Sequence, residues 1–224
     1  RFTGKSSAFK VTYEGKTYQF ETRLAGRFNI YNTLGAIGAA LSEGISMETI
    51  AAAMKTFHSV PGRFELIDEG QSFTVVVDYA HTPDGLEKIL TTAQEITKGR
   101  ILVVFGCGGD RDKMKRPIMG RIAARYADVA IVTSDNPRTE DPETIVKEVA
   151  AGVEEVKAEK PSLQVEVVVD RRSAIQKAIS LAKGDDIVLI AGKGHEDYQI
   201  LKDKTIHFDD REEARKALKQ SARF

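Results

Sequence analysis

Residues 101–138 read ILVVFGCGGDRDKMKRPIMGRIAARYADVAIVTSDNPR, and this stretch decides the fold. Two uninterrupted apolar runs, Ile101–Phe105 and Val129–Thr133, enclose a segment with helical spacing, Pro117–Tyr126. Continuous apolar strands on either side of a helix are typical of a parallel sheet that is buried on both faces. Each run ends in a polar loop, and in an open parallel sheet such loops share the edge at which ligands bind.

The same alternation of strands and helices extends from Pro61 to the end of the chain. Further strands are predicted at Thr74–Val77, Val165–Val169, Ile187–Ala191 and, more weakly, Glu65–Ile67. Further helices are predicted at Pro83–Ile96, Pro142–Lys157 and Arg171–Ala182, and a last one at Asp210–Gln220 after a short β segment, Lys204–Phe208. The pattern predicts an α/β fold, with a mostly parallel sheet and helices on both of its faces.

Helix starts can be assigned from prolines and capping residues. Pro83, Pro117 and Pro142 each suit a first helical position, because proline lacks the amide hydrogen that such a position leaves unpaired. Thr82 and Asp141 are the expected N-caps of two of these helices. Asp209 and Glu212 are the expected capping pair of the last helix.

The first 60 residues have a different pattern. Segments 7–13 and 17–22 alternate around Glu14-Gly15 and predict a β-hairpin, and helices are predicted at Phe28–Glu43 and Met47–Phe57. We place a domain boundary at Pro61-Gly62, which divides the chain into residues 1–60 and 61–224. The chain starts at Arg1 without methionine, and we expect it to be a piece of a longer protein.

The composition limits the possible classes of protein. The chain has 224 residues, 42% of them hydrophobic, with 33 basic and 33 acidic side chains, so it can bury a large core and gains no bulk attraction to nucleic acid or membrane. Its one cysteine, Cys107, allows no disulfide and no cysteine zinc site within the chain. A single cysteine and the lack of a membrane-spanning run lead us to expect a cytoplasmic protein.

The tetrapeptide Asp135-Asn136-Pro137-Arg138 suits an amino-acid ligand. Asp135 can accept hydrogen bonds from an ammonium group, and Arg138 can hold a carboxylate with two parallel hydrogen bonds. Pro137 stiffens the turn by fixing its backbone φ angle. The alternative is a strand-to-helix turn that carries a surface ion pair.

The glycine-rich loop at Gly106–Arg116 suits an anion. Arg111 stands where a dinucleotide-binding G-x-G-x-x-G motif needs its last glycine, so that motif is absent. We interpret the loop as a flexible backbone with a cationic tip, in which Arg111 is the ligand candidate and Lys113 and Lys115 are solvated. Cys107 is expected to be an inert packing residue.

Two further loops carry polar groups after a predicted strand. In the segment Gly192–Asp197, Glu196 can accept from an ammonium group, and His195 is expected to have a structural role. In the segment Asp78–Thr82, an acid, a phenol and an imidazole can meet a nucleotide, but Asp78 and His81 are too few to define a metal site. The tripeptide Gly15-Lys16-Thr17 is not a P-loop, because position 10 is a lysine where that motif needs glycine.

These loops, in this order, resemble the Mur ligases of peptidoglycan synthesis, and most closely their MurE type, the UDP-N-acetylmuramoyl-tripeptide synthetases. The matching stretches are LAGRFNIYN at 24–32, VPGR at 60–63, DYAHTPD at 78–84, GCGGDRDKMKRP at 106–117, DNPR at 135–138 and AGKGHEDYQ at 191–199. The resemblance implies that residues 61–224 form the Rossmann-like C-terminal domain of such a ligase. It implies that residues 1–60 are the tail of the central, ATP-binding domain, whose P-loop lies upstream.

The resemblance also implies a reaction and a set of binding residues. The reaction is ATP- and Mg²⁺-dependent addition of meso-diaminopimelate to UDP-N-acetylmuramoyl-L-alanyl-D-glutamate through an acyl phosphate. The implied amino-acid pocket consists of Arg111, Asp135, Asn136, Pro137, Arg138, Gly192 and Glu196. The implied nucleotide contacts are Asn29, Asn32, Arg63, Asp78, Tyr79 and His81, and no catalytic residue is assigned.

Physical reasoning also favours diaminopimelate over lysine as the ligand of the implied amino-acid pocket. Diaminopimelate carries one more carboxylate, which can pair with an arginine that we expect to be buried, whereas lysine would leave that arginine unpaired. Because the implied P-loop and UDP-binding domains are missing from these 224 residues, we expect the chain to be inactive by itself. Alternative functions are a lysine-adding or other Mur-type ligase, a dinucleotide-dependent oxidoreductase, and a non-enzymatic amino-acid-binding module.

Overall fold

The computed structural model describes residues 2–3 and 6–221, with side chains from residue 6 onward. The chain divides into two compact units, Arg1–Val60 and Pro61–Phe224. No helix among the described residues is both long enough and apolar enough to cross a membrane.

The first unit is an antiparallel sheet with two helices. Its strands are β1 (Phe2–Thr3), β2 (Ser6–Tyr13) and β3 (Lys16–Thr22), in that order across the sheet, and its helices are α1 (Arg27–Ser42) and α2 (Met47–Thr56). The two-residue turn Glu14-Gly15 has φ angles of 49° and 76°, both positive as a tight hairpin turn requires. Phe20 of β3 packs with Ile37 of α1 and with Met47 and Ile50 of α2 to form the core.

The second unit is a six-stranded sheet with helices on both faces. Its strands are β4 (Glu65–Leu66), β5 (Thr74–Asp78), β6 (Ile101–Phe105), β7 (Val129–Val132), β8 (Gln164–Val167) and β9 (Ile187–Ala191). Its helices are α3 (Pro83–Ile96), α4 (Lys115–Tyr126), α5 (Pro142–Lys157), α6 (Arg171–Leu181) and α7 (Asp210–Ser221), and a two-stranded ribbon, β10 (Tyr198–Ile200) and β11 (Thr205–His207), precedes α7. The sequence prediction of a mostly parallel sheet with helices on both faces is confirmed.

The strand order across this sheet is β4-β5-β9-β6-β7-β8, and every pair is parallel except β4 with β5. The last long strand in sequence, β9, lies between β5 and β6. Its insertion there places the loop after β9 between the loops after β5 and β6 at the carboxyl edge of the sheet. Val75, Leu102 and Val188 belong to a core cluster shared with α6 and α7.

One predicted helix start is wrong, and two predicted N-caps are confirmed. Helix α4 begins at Lys115, two residues before Pro117, and proline is tolerated there because the first turn of a helix leaves its amide groups unpaired. The predicted N-caps Thr82 and Asp141 are confirmed, since their side chains accept from Gly85 N and Thr144 N.

Two features near the C-terminus also differ from the prediction. Strands β10 and β11 form a hairpin, of which the sequence pattern indicated only the second strand. At the start of α7, the Glu212 carboxylate contacts the His207 ring at 3.0 Å, so it is not the capping partner of Asp209 that we predicted. The prediction of Asp209 as an N-cap is confirmed, because its carboxylate accepts from the backbone N–H of Arg211, the second residue of α7, as well as from the Arg211 guanidinium.

Candidate functional site

The loops that follow β5, β6, β7 and β9 enclose one cleft of about 630 Å³ at the carboxyl edge of the sheet. Eight of the predicted site residues line it: Tyr79 and His81, together with Arg111, Asp135, Asn136, Arg138, Gly192 and Glu196. The expected convergence of distant segments on a single crevice is therefore confirmed. Pro137, Asp78 and Arg63 are not among the residues that line it.

Two of these loops are joined to each other by their backbones. Gly109 N donates to Asn136 O at 2.9 Å, and the Nη1 atom of Arg138 donates to Gly109 O at 2.9 Å. A Cβ atom at Gly109 would lie 1.9 Å from the carbonyl oxygen of Pro137, so only glycine allows this approach. Pro137 does not line the cleft, and its carbonyl oxygen accepts from Glu140 N within its own loop.

A buried ion pair between Arg116 and Glu140 also joins the same two loops. Arg116 is fully buried, and its guanidinium donates to both carboxylate oxygens of Glu140 at 3.1 and 2.9 Å. Glu140 also accepts from Asp110 N at 2.6 Å, and Lys113 lies 3.2 Å from it. The hydrogen bonds from Arg116 are the main reason that the pKa of Glu140 falls from 4.5 to about 2. The Lys113 side chain is 63% exposed, as the solvated role expected from sequence requires, and it also pairs with Glu140.

Two non-glycine residues with left-handed backbone lie where these loops meet. Asp110 has a φ of 53° and Arg138 a φ of 54°, values that side chains other than glycine rarely adopt. The Asp110 carboxylate accepts from both the backbone N–H and the hydroxyl of Thr139, the residue after Arg138. These two hydrogen bonds join Asp110 to the loop that contains Arg138. Non-glycine residues in this conformation are often found at binding sites, where the surrounding contacts support them.

Asp135 presents one carboxylate oxygen without a hydrogen bond from any described residue. Its Oδ1 atom accepts from Asn136 N at 2.6 Å, whereas Oδ2 adjoins Gly192. A Cβ atom at Gly192 would lie 2.6 Å from Oδ2, and the φ of this glycine is 124°. Glycine at position 192 therefore leaves space beside an ionisable acceptor at the cleft.

The cationic side of the cleft consists of Arg138 and Arg111. Arg138 uses only Nη1 within the described part of the chain, so its Nε and Nη2 edge can form two parallel bonds to a carboxylate. Arg138 is half-buried and Arg111 is exposed, so the expectation of a buried arginine is wrong. Partial solvation lowers the cost of leaving either guanidinium unpaired.

Glu196 belongs to a network with two buried partners. Its Oε2 atom accepts from Asn136 Nδ2 at 2.9 Å and from Lys193 Nζ at 3.1 Å. Lys193 Nζ also donates to Asn136 Oδ1 at 3.3 Å, and the lysine is fully buried. Lys193 was not identified from sequence, because nothing in a glycine-rich loop indicates that its lysine turns inward.

Arg171 is a second buried cation that sequence reasoning missed. Its Nε and Nη2 atoms donate to the two carboxylate oxygens of Asp210 at 2.8 and 2.7 Å. The same guanidinium donates to the carbonyl oxygens of Ser134 and Ala191, the residues immediately before Asp135 and Gly192. Arg171 thereby ties the ends of β7 and β9 to α7. The only sequence signal was the position of Arg171 directly after an N-cap aspartate.

Aromatic and cationic groups cluster around Tyr79, which lines the cleft. The ring centroid of Tyr79 lies 4.6 Å from that of His81 and 5.1 Å from that of His195, and the Arg63 guanidinium carbon lies 4.7 Å from the Tyr79 centroid. Lys115 Nζ donates to His81 O at 2.8 Å and lines the cleft, so its expected role as a solvated residue is wrong. Arg63 reaches the site only through Tyr79.

Asp78 has a structural role in place of the predicted nucleotide contact. Its carboxylate oxygens accept from Phe64 N at 2.7 Å and Ala80 N at 2.8 Å, which fixes the chain on both sides of the rim. Burial raises the pKa of Asp78, and these two backbone hydrogen bonds oppose that rise. Because both oxygens are used and the side chain is buried, Asp78 is not available to a ligand.

The remaining predicted nucleotide contacts lie in the first unit. Asn29 and Asn32 are on α1, and Asn32 Nδ2 donates to Asn29 Oδ1 at 3.2 Å. Asn29 also donates to Ala25 O at 2.8 Å and is buried, whereas Asn32 is exposed.

The described residues contain no cluster of metal ligands, and the one thiol is buried. Among the described residues no three His, Cys, Asp or Glu side chains are grouped as metal ligands would be. Cys107 is buried beside Met119, and burial raises its pKa to about 11, so the thiol stays protonated and unreactive near neutral pH.

Comparison with known proteins agrees with this geometry. Residues 62–194 match the family described as "Mur ligase, glutamate ligase domain". The chain is 51% identical over 214 residues to the UDP-N-acetylmuramoyl-L-alanyl-D-glutamate–2,6-diaminopimelate ligase of Clostridium botulinum, covering 95% of this chain and 43% of that protein. It is 51% identical over 220 residues to the ligase of the same name from Geobacillus kaustophilus, covering 98% of this chain and 44% of the relative.

A solved structure with the same ligase name superposes with a TM-score of 0.74 at 36% identity, covering 99% of this chain and 44% of the other. The chain thus spans less than half the length of the relatives it matches. The matched region contains the loops that build the cleft, with the exception of residues 195–198 at its end. By sequence and by fold, this chain belongs to the Mur ligase family.

Proposed function

We propose that this chain is the amino-acid-presenting part of an ATP-dependent ligase that adds meso-diaminopimelate to UDP-N-acetylmuramoyl-L-alanyl-D-glutamate. The observation that carries the proposal is the charge arrangement of the cleft. Asp135 and Glu196 each present a carboxylate oxygen that no described residue occupies, and Arg138 and Arg111 present guanidinium groups at the same cavity. The names of the 51% identical relatives support the same assignment.

The charges of the cleft match diaminopimelate better than lysine. Diaminopimelate has two ammonium and two carboxylate groups, so each group finds an oppositely charged partner among Asp135, Glu196, Arg138 and Arg111. Asp112 and Lys115 also line the cleft and add one charge of each sign. Lysine has two ammonium groups and a single carboxylate, which leaves one guanidinium without a ligand. A charge-assisted hydrogen bond is worth about 1.5–3 kcal/mol, or roughly tenfold to a hundredfold in Kd, and the exposure of Arg111 favours the lower end.

The chemistry of such a ligase needs an activated acyl group and a free amine. ATP phosphorylates the carboxylate of the UDP-linked dipeptide, and the amine of the bound amino acid then displaces phosphate from the acyl phosphate. Residues of the cleft contribute by fixing the amine near the acyl carbon, which lowers the entropy cost of the bimolecular step. We propose that Lys115 and His81, which also line the cleft, meet the negative charge of the transferred phosphoryl group.

The nucleotide site is shared with parts of the protein that this chain does not include. We propose that Arg63, Tyr79 and His81 approach ATP from the second unit, and that Asn29 and Asn32 contact its base from the first. Mg²⁺ takes most of its ligands from phosphate oxygens and water, and the described residues supply no carboxylate cluster for it. The isolated chain is therefore proposed to bind the amino acid without catalysing the ligation.

The direct test is calorimetric titration of the chain with meso-diaminopimelate and, separately, with L-lysine. We expect weak binding of meso-diaminopimelate, detectable at millimolar ligand, and binding of lysine that is roughly tenfold or more weaker. Arg138→Ala should remove most of this preference, because it deletes the Nε and Nη2 edge that pairs with the additional carboxylate. Equal affinity for both ligands would favour a lysine-adding or unselective ligase, and binding of NADH with neither amino acid bound would favour the oxidoreductase alternative.

A further inference from the structure

Lys193 is the one lysine among the described residues that is completely buried, and it lies directly beneath the amino-acid cleft. A buried ammonium is tolerated only when its charge and its three hydrogens are well matched by acceptors. Here its Nζ atom contacts Glu196 Oε2 at 3.1 Å and Asn136 Oδ1 at 3.3 Å, and it lies 5.4 Å from the centroid of the Tyr198 ring. All three of these residues line the cleft, whereas Lys193 does not.

These contacts fix the orientation of the Asn136 amide. Asn136 Oδ1 accepts from Lys193 Nζ and from Ile200 N at 2.9 Å, so the oxygen of the amide faces two donors. The amide nitrogen then faces Glu196 Oε2, to which it donates at 2.9 Å. A flipped amide would place a donor against the lysine and an acceptor against the carboxylate, which is unfavourable on both sides.

The same contacts determine which oxygen of Glu196 is available. Oε2 receives both the lysine and the amide, and Oε1 has no hydrogen-bond partner among the described residues. The Glu196 side chain is 17% exposed and lines the cleft. Without the lysine, the Glu196 carboxylate would lose its counter-charge. Its orientation would no longer be fixed, so either oxygen or neither could face a ligand.

We propose that Lys193 is a positioning residue for the amino-acid substrate. By neutralising one side of Glu196 and fixing Asn136, it holds Glu196 Oε1 toward the cleft as an acceptor for a substrate ammonium group. The proposal rests on the proposed function, because it assumes that a substrate ammonium is what Glu196 meets. Lys193 does not touch the substrate itself.

The test compares Lys193→Met, Glu196→Gln and the double variant, in the same chain used for the titrations. Lys193→Met should weaken meso-diaminopimelate binding about tenfold or more, as expected for the loss of a charge-assisted hydrogen bond. Lys160→Met is the matched control. Lys160 Nζ donates to backbone carbonyls of Ala124, Arg125 and Ala127, away from the cleft, so its loss should leave the affinity unchanged.

Two readouts separate positioning from a merely structural role. The side-chain amide signals of Asn136 in ¹H–¹⁵N spectra should shift in Lys193→Met and stay in place in Lys160→Met. The double variant should bind meso-diaminopimelate as weakly as Glu196→Gln and no more weakly, because Lys193 acts on the ligand only through Glu196. This comparison needs no single Lys193 variant and therefore remains decisive if Lys193→Met does not fold.

The outcomes distinguish the two proposals. Wild-type chain that binds no meso-diaminopimelate would overturn the proposed function. Wild-type binding combined with undiminished affinity in Lys193→Met, or with a double variant that binds more weakly than Glu196→Gln, would overturn the role of Lys193 alone.

Discussion

At the scale of single residues, the site depends on buried charges that its surface residues do not reveal. Lys193, Arg171 and Arg116 are all fully or almost fully buried, and each is paired with a carboxylate. Sequence reasoning found eight of the residues that line the cleft, because polar groups in loops after apolar strands meet at one edge of a parallel sheet. It could not find these three cations, since charged residues are usually exposed and only the folded chain shows which partner they meet.

Glu140 leads to a prediction about pH. Its folded-state pKa of about 2 lies below its ordinary value of 4.5, so the unfolded state takes up this proton first as the solution is acidified. The stabilisation from Glu140 is complete above pH 4.5 and is lost as the pH falls through about 2. Glu140→Gln should flatten this part of the stability curve, measured by denaturant unfolding across the same pH range. An acid limb of unchanged slope would contradict the prediction.

The contribution of Asp78 to stability should change with pH in the opposite direction to that of Glu140. Burial raises its folded-state pKa above the ordinary value of 3.8, so in the range just above that value the folded state holds more protons than the unfolded state. The contribution of Asp78 to stability therefore falls as the pH rises from 3.8 through the raised pKa. Titration of the side-chain carbonyl by ¹³C NMR checks this prediction, and a midpoint at or below 3.8 would refute it.

At the scale of elements, the strands and most helix ends follow from local sequence, whereas their arrangement does not. The apolar runs predicted β6, β7 and β9, and Thr82 and Asp141 predicted two helix starts. The position of β9 between β5 and β6 is a long-range pairing that no local pattern encodes. The pairing of Gly109 with the Asp135–Arg138 loop depends in turn on the distance between β6 and β7, so it too required the structure.

The contact between these loops predicts the effect of a single methyl group. Gly109→Ala places a Cβ atom 1.9 Å from Pro137 O, so the two loops must separate. We expect a loss of about 1–3 kcal/mol in unfolding free energy, as is typical of overpacking, together with weaker binding of meso-diaminopimelate. Denaturant unfolding and calorimetry measure the two effects, and unchanged values of both would show that the loops are not held as described.

A glycine in helix α1 provides the matched contrast. A Cβ atom added at Gly35 would have no neighbouring atom within 4 Å, and the φ of this residue is not positive, so an added methyl group meets nothing. Gly35→Ala should raise the unfolding free energy of the first unit by about 0.5–1 kcal/mol, because alanine loses less backbone entropy in a helix. A decrease in that free energy would mean that this face of α1 is covered in solution.

At the scale of the whole molecule, the proposed function assigns only part of a ligation reaction to this chain. It contains a cleft suited to an amino acid with an additional carboxylate, and it spans 43% of the length of its 51% identical relative from Clostridium botulinum. Purified chain supplied with ATP, Mg²⁺, the UDP-linked dipeptide and meso-diaminopimelate should form no tripeptide above a control without protein. Product formation above that control would show that the chain is catalytically sufficient.

The central claim is that loops from distant parts of the sequence form one pocket for a zwitterion with an additional negative end. The most direct measurement is a ¹H–¹⁵N titration of the chain with meso-diaminopimelate. We predict saturable shifts at the backbone amides of Gly108, Arg111, Asn136 and Gly192, which adjoin the cleft on three different loops, with much smaller shifts at the same ligand concentration for L-lysine. Shifts confined to one loop, or none at millimolar ligand, would contradict the account.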